Sequence, residues 1–305
     1  MKKPSATLAE ILTVMQDLCK SAKVDKCVRP GPESRYPNSL FITLNLLRHL
    51  FGINSESAFL RYIVKHHANR LPQIPEQSWF NRKTKRLTRE IDEIYQLLLK
   101  RLGVAKIEIR IVDATGIPVV KLHRARKCRS FQRRTEVGYG YCAAKDGYYY
   151  GEKMTLLVTP QGVPAGHALA PANHHDVRAF KAQLPRLMPY LMRKVIVADL
   201  GYYDGELDVE IADRYQGYVV TPEKKRHQKK NSWWERQLLK LRKIVETVIE
   251  QLQDHMHIDD TRAKSQRGLE VRIQSLITSF TFGIYWNALH GRELLAIKSV
   301  LTSLA

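Results

Sequence analysis

Apolar residues recur at helical spacing through the first hundred positions, and the pattern then turns strand-like. Leu8, Ile11, Leu12, Met15 and Leu18 fall on one face of a helix predicted over residues 6–20. The prolines and glycines of residues 27–38 predict a loop. Two short amphipathic helices come next, over 39–50 and 55–64, with Gly52 and Asn54 as break and cap between them. Residues 70–75 form another break. Ser78 then opens one long helix to about residue 102, with Ile91, Ile94, Leu97 and Leu98 as its stripe.

From Lys106 onward the residues over 107–112 alternate and are rich in β-branched types, a strand signature. Residues 148–159 read as a second strand and 163–169 as a third, joined as a hairpin by the turn at Pro160–Gly162. A helix is predicted over 175–191. The short apolar run 194–198 fits a strand buried on both faces. A helix over 204–215, a strand over 217–221 and long helices over 232–257 and 268–297 complete the chain. This order predicts a mixed α/β sheet, antiparallel first and parallel later, and matches the ribonuclease-H-like fold. Two regions result: an all-helical one over 1–105, and the sheet with its C-terminal helices over 106–305. No internal repeat is visible.

With 305 residues, 44% of them hydrophobic, the chain can bury one large core or two small ones. Charge changes the picture more. Fifty Lys and Arg against thirty Asp and Glu leave a net +20, which opposes compaction unless a polyanion offsets it. Nucleic acid is the first candidate partner and an anionic membrane surface the second. No window of about 18 uncharged apolar residues exists to span a membrane. Behind the basic N-terminal tip, Glu10 and Asp17 interrupt the apolar stretch, so it fails as a signal peptide. An intracellular protein is expected. Cys19, Cys27, Cys128 and Cys142 contain no Cys-x-x-Cys pair, which argues for free thiols over a zinc site.

The basic residues are clustered. Arg82, Lys83, Lys85, Arg86 and Arg89 lie in the first half of the long predicted helix, a candidate DNA-binding surface or a solvated face. Residues 121–134 hold Lys121, His123, Arg124, Arg126, Lys127, Arg129, Arg133 and Arg134. Such a loop would repel itself unless it met a polyanion. Tyr139, Tyr141, Tyr148, Tyr149 and Tyr150 come after it, either as stacking partners for unpaired bases or as ordinary strand residues. A second run, KKRHQKK from Lys224 with Lys225, precedes Trp233 and Trp234, which can stack on a base or pack in the core.

Acids supply the candidate chemistry. Asp113 ends the first predicted strand and Asp199 the fourth. Carboxylates there stand at the carboxyl edge of a sheet, where open α/β sheets bind ligands. A lone strand-end Asp is more often a turn former or cap, so the pair carries the argument. Paired carboxylates suit magnesium, which prefers hard oxygen ligands. A third acid is expected from a later helix. Glu246 fits, one turn after Arg242 and so on its face; Glu250, a turn further on, is the rival. Glu246 and Arg242 can equally be an ordinary helical ion pair. Asp176, after Asn173, His174 and His175, is either a helix cap or an accessory acid. Lys153, near the acid edge, either contacts a phosphate or points to solvent.

These segments resemble a known family. Residues from about 107 to 284 are similar to the DDE (Asp-Asp-Glu) domain of bacterial insertion-sequence transposases, most nearly the insertion sequence 982 family. The likeness is carried by VDATGIPV around Asp113, GYCAAKDGYYYGEKMTLLVTPQGVP from Gly140, VIVADLGYYD around Asp199 and RKIVETVIEQL around Glu246. APANHHDVRAF, over 170–180, resembles the family's Asn/His-Asp element, and PEQSWFNRKTKRL is similar in style. The resemblance implies a two-metal mechanism with Mg²⁺, or Mn²⁺ in its place, held by Asp113, Asp199 and Glu246. It also implies cleavage and strand transfer at element ends bound by a homodimer or larger assembly, in a prokaryotic cytoplasm near the nucleoid. Where the family usually shows a Tyr-Arg-Glu-Lys-like cluster, this chain has Leu241 at the tyrosine position and matches at Arg242 and Glu246. The competing functions are a catalytically silent or domesticated DNA-binding protein and a ribonuclease-H-like nuclease that only hydrolyses.

Overall fold

The computed structural model describes residues 8–26, 34–71, 74–128, 131, 137–142, 146–223 and 230–301. The chain divides into two compact units: residues 1–102, 254–258 and 266–305 in the first, 103–253 and 259–265 in the second.

The first unit begins with α1, Leu8–Ser21, which buries the stripe of Leu8, Ile11, Leu12, Met15 and Leu18. Then come α2, Asn38–Leu50, α3, Glu56–His67, α4, Gln77–Thr84, and α5, Thr88–Arg101. Ser55, not Asn54, caps α3: its hydroxyl accepts the Ala58 N–H at 3.3 Å. The single helix expected from Ser78 to about residue 102 is two helices. The Lys85 carbonyl at the break is taken by the Arg267 guanidinium at 3.0 Å and the Thr88 hydroxyl at 3.4 Å. Side chains thereby replace the backbone donor that would continue the helix.

The second unit is built on a six-stranded mixed sheet. Its elements are β1, Ile109–Val120; β2, Gly138–Cys142; β3, Gly147–Val158; β4, Pro164–Pro171; α6, Asp176–Leu191; β5, Val195–Val197; α7, Gly205–Tyr215; β6, Tyr218–Val220; α8, Trp233–Leu239; and α9, Arg242–Asp254. The strand order is β2-β3-β1-β5-β6, with β4 also on β3. β1 runs antiparallel to β3 and parallel to β5, and β6 is parallel to β5. β4 pairs with residues 152–158 of β3 and β2 with 147–151, so the two share the edge of β3 opposite β1. The β3–β4 turn places Gly162 at φ +80°, a conformation glycine adopts without strain.

Three expectations change here. β2 is an additional strand; its glycines at 138 and 140 weaken the strand pattern in the sequence. β1 is twice the expected length, so Asp113 lies within it instead of ending it. The ladder to β3 continues past Gly116 and Pro118, with a register shift between Pro118 and Val120. The helix expected over 232–257 divides at Lys240–Leu241, without the glycine or proline that would have marked it.

At the root of β1, Arg110 is buried and donates to four carbonyls: Ile107 and Ile109 at 2.9 Å, Val104 at 3.0 Å and Tyr190 at 3.2 Å. It ties β1 to the end of α6.

The chain closes with α10, Gln266–Leu289, and α11, Ile297–Leu301. These helices group with the first unit. From Val271 on, α10 is enclosed on most sides, burying Val271, Ile273, Leu276, Ile277, Phe280, Phe282, Ile284 and Trp286. Such a helix needs cover on those sides, and α2 and α5 pack against it. Its buried hydroxyls are satisfied within the helix, Ser275, Thr278, Ser279 and Thr281 each donating to the carbonyl four residues back. Among the described residues, no helix is long and apolar enough to cross a membrane. Cys19, Cys128 and Cys142 are free thiols; Cys27 lies outside the described residues.

Candidate active site: a carboxylate-rich cleft

Ile111 pairs with Val197 where β1 runs parallel to β5. Two residues further along stand Asp113, still within β1, and Asp199, past the end of β5. Beyond Val197 the chain leaves the sheet, and Asp199 caps the 3-10 turn Leu200–Tyr202 by accepting the Leu200 N–H at 2.7 Å. Asp113 similarly accepts the Ala114 N–H at 2.7 Å.

α9 supplies the opposite wall. Val245, Val248 and Leu252 are buried. Glu246, Ile249, Glu250 and Gln253, at helical spacing on another face, line an open cleft of about 420 Å³ with Asp113, Thr115, Gly116, Tyr141, Cys142, Tyr149, Lys153 and Asp176. Arg242, one turn before Glu246, lies 3.1 Å from Asp199 and 3.8 Å from Glu246. It therefore links the second strand acid to the helix acid. Both carboxylates are largely exposed, so the pairing orients them more than it stabilises the fold. Gln253 donates to the Thr115 hydroxyl at 2.9 Å and ties α9 to β1.

Asp176 is the first residue of α6. The cap is His175, which makes no side-chain cap bond. The Asp176 carboxylate accepts instead from Lys153 at 2.6 Å, and Lys153 also donates to the His174 carbonyl at 2.8 Å. Lys153 is thus held at the cleft by an acid and does not point freely to solvent.

The electrostatics arise from this crowding. Burial, and then the charges of Asp176 and Asp199, push the Asp113 carboxyl up to about 6 from its usual 3.8, against the Ala114 N–H and Arg242. The Tyr202 phenol is fully buried and held well above its usual range by burial, then by Asp176, Asp113 and Asp199. Among the described residues its hydroxyl has no hydrogen-bond partner. Four carboxylates (Asp113, Asp176, Glu246 and Glu250) line the cleft with Lys153, and Arg242 links Glu246 to Asp199, which stands outside that lining, in a chain of net charge +20.

This donor set is all hard oxygen, the chemistry of a magnesium-class cation. Such an ion would offset the Asp176 and Asp199 charges that add to burial in raising Asp113. The donors are not drawn tightly together: among the described residues, no three His, Cys, Asp or Glu side chains are grouped closely enough to hold a metal by themselves.

The Asp113 carboxyl has a consequence for stability. The folded state keeps a proton between about pH 4 and 6 that the unfolded chain releases, so folding is favoured on the acid side and weakened as pH rises through 6. Above that, ionised Asp113 costs about 3 kcal/mol. In EDTA, Asp113→Asn should therefore unfold at higher urea concentration than the unmodified protein at pH 8. The difference should shrink below pH 6 and vanish near pH 4.

The predicted basic residues are dispersed. Arg82, Lys83, Lys85 and Arg86 lie on α4 and the break after it, in the first unit, with Arg82 and Arg86 exposed. Arg124, Arg126 and Lys127 are exposed on a 3-10 turn, Leu122–Lys127. Arg129, Arg133, Arg134, Lys224 and Lys225 lie outside the described residues. Trp233 and Trp234 are exposed at the start of α8 and so are not core residues. Thr115, Tyr149 and Gln253 were not anticipated at the cleft. Gln253 was within reach of sequence reasoning, since it stands two turns after Glu246 and one after Glu250. Tyr149 was not, because its side of the sheet depends on the pairing of β2.

Tyr149 crosses beneath two glycines. A Cβ at Gly116 would come within 2.6 Å of its ring and one at Gly140 within 2.7 Å. Only glycine permits this approach, and the ring is thereby set against the cleft floor.

A family model described as a transposase DDE domain matches residues 105–282, more than half of the chain. Neither a curated protein nor a solved structure matches.

Proposed function

The chain belongs to the transposase DDE family, and on that premise we propose that it cuts and joins DNA strands at the ends of a mobile element with a divalent metal. One observation carries the reading: a cluster of acids at one cleft in a strongly basic chain. A neutral small-molecule substrate needs neither property, whereas a polyanion processed with a metal cation needs both.

Asp113, Asp199 and Glu246 would hold the metal, which when bound activates the attacking oxygen and stabilises the leaving one. Arg242 keeps Asp199 and Glu246 oriented toward each other and offers a cation to a phosphate oxygen. Lys153, held by Asp176, places a second cation at the cleft. The preference for Glu246 over Glu250 rests on this Arg242 link. The strand order, antiparallel across β4, β3 and β1 and parallel across β1, β5 and β6, supports a ribonuclease-H-like fold. The sequence motifs support an insertion sequence 982 type of element. Exposed Arg82 and Arg86 in the helical unit are assigned to DNA binding, and the active species on DNA is proposed to be a homodimer or larger.

The test uses the purified full chain with Mg²⁺, duplex DNA bearing the inverted ends that flank the gene, and a target plasmid. Nicked ends and joined products are expected. Glu246→Gln should lower cleavage at least about 100-fold, and Glu250→Gln less than about tenfold. Cleavage with no joining would make the protein a hydrolytic nuclease. Salt-sensitive binding with no cleavage would make it a silent DNA-binding protein.

A further inference from the structure

We propose that the outer face of the β2–β3 hairpin is a stacking platform for the unpaired bases of a single DNA strand. The proposal rests on DNA being the substrate, but not on catalysis.

The register builds the face. Tyr139 pairs with Tyr150 and Tyr141 with Tyr148. Directly opposed residues of a ladder point to the same side, so four tyrosines share one face. Their rings meet in two pairs, with centroids 5.0 and 5.1 Å apart, each tilted at 58°. The tilt leaves ring faces that are not spent on each other. Tyr139, Tyr141 and Tyr148 are 50%, 52% and 67% exposed. Large rings usually bury most of their area, and a cluster left open on one hairpin marks a contact surface.

The other face of the hairpin is pinned. Tyr149 runs under Gly140, and Asn173 lies close enough to Gly138 that a Cβ there would meet its Oδ1 at 2.8 Å. The Tyr141 hydroxyl donates to Asp146 at 2.5 Å, which fixes that ring. The platform is therefore largely preorganised, and a ligand loses little free energy in ordering it.

Charge selects the partner. Tyr139 and Tyr148 form a groove with Leu122, His123 and Arg126 of the 3-10 turn. Arg124 and Lys127 are exposed on the same turn. Aromatic faces beside cations suit a polyanion whose bases are open. A duplex hides its base faces in the stack, so this surface fits an unpaired strand. Tyr141 also lines the acid cleft, which makes the platform continuous with it.

The test is binding in EDTA, where no strand is cut. A labelled oligothymidylate of about 12 nucleotides is titrated by fluorescence anisotropy against an abasic strand of equal length and a duplex. The full chain should prefer the oligothymidylate to the abasic strand. Tyr139→Ala with Tyr148→Ala should weaken oligothymidylate binding at least about tenfold and leave the abasic strand within about twofold. Tyr139→Phe with Tyr148→Phe should retain binding. Equal losses on both strands, no loss, or equal losses on duplex and single strand would overturn the proposal. So would a tyrosine-dependent self-association seen by sedimentation without any preference for bases. A second measurement needs no variant: ultraviolet crosslinking of a 5-bromodeoxyuridine strand to the unmodified chain should mark Tyr139, Tyr141, Tyr148 or Tyr150. Adducts confined to other residues would overturn it. A protein that crosslinks there yet never cuts DNA would fail the transposase reading alone.

Discussion

Asp113→Ala and Asp199→Ala are each expected to abolish strand cleavage and joining, by at least about 1000-fold, while DNA binding changes less than about threefold. Asp113 lies within β1 and Asp199 two residues past the end of its parallel neighbour β5, and Asp113 feels the charge of Asp199. Removing either takes away one of the acids proposed to hold the metal. Binding should survive because the net charge of +20 rises by one when an acid is lost, and phosphate contacts depend on Lys and Arg. The measurement is gel-resolved cleavage of end-bearing DNA with Mg²⁺ beside anisotropy on the same DNA without it. Full cleavage by Asp199→Ala would sink the proposed mechanism. Asp113→Asn serves as the control for folding, since it should be inactive and yet more stable than the unmodified protein in EDTA above pH 6.

The largest stability effect is expected from Arg110→Ala. Its guanidinium satisfies four carbonyls in a site closed to water. Truncation would take that donor from all four, leaving Val104 only the Ile107 N–H at 3.2 Å, and open a cavity where β1 meets the end of α6. Stranded buried acceptors cost roughly 1–3 kcal/mol each before relaxation. A net loss of about 4 kcal/mol is expected, with water entry recovering part of the sum. Thermal unfolding should shift down by about 10 °C. Arg110→Met, which keeps the volume and removes the donors, should lose most of the same stability. If Arg110→Met proved neutral, packing and not hydrogen bonding would be the role of this side chain. Because β1 carries Asp113, either variant should also lower cleavage in proportion to the fraction unfolded.

The sheet was legible where apolar runs were long and uninterrupted. Residues 194–198 declared a buried strand, and β5 is there. The 148–159 and 163–169 runs with Pro160–Gly162 between them declared a hairpin, and β3 and β4 form it. β2 was not legible, because Gly138 and Gly140 carry no side chains to complete an alternating pattern; a Cβ there would crowd the Asn173 side chain at Gly138 and the Tyr149 ring at Gly140. Breaks at Lys85–Leu87 and Lys240–Leu241 escaped for a related cause. No breaker residue marks them, and the first is made by Arg267, far along the chain.

Local pattern alone located five of the six strands and picked out Asp113, Asp199, Arg242 and Glu246 as candidates, since strand signature and helical spacing depend on near neighbours. Tertiary structure decided what stands beside what. It placed Asp113 within β1 instead of at its end, with Asp199 just past the end of the parallel partner β5. It turned Asp176 from a cap into the partner of Lys153, because α6 begins beside β3. It packed α10 against α2 and α5, far earlier in the chain. It also put four tyrosines on one exposed face, since only the β2–β3 register tells which residues oppose each other. Contacts between residues far apart in the chain carry no local signal, and the cleft consists largely of such contacts.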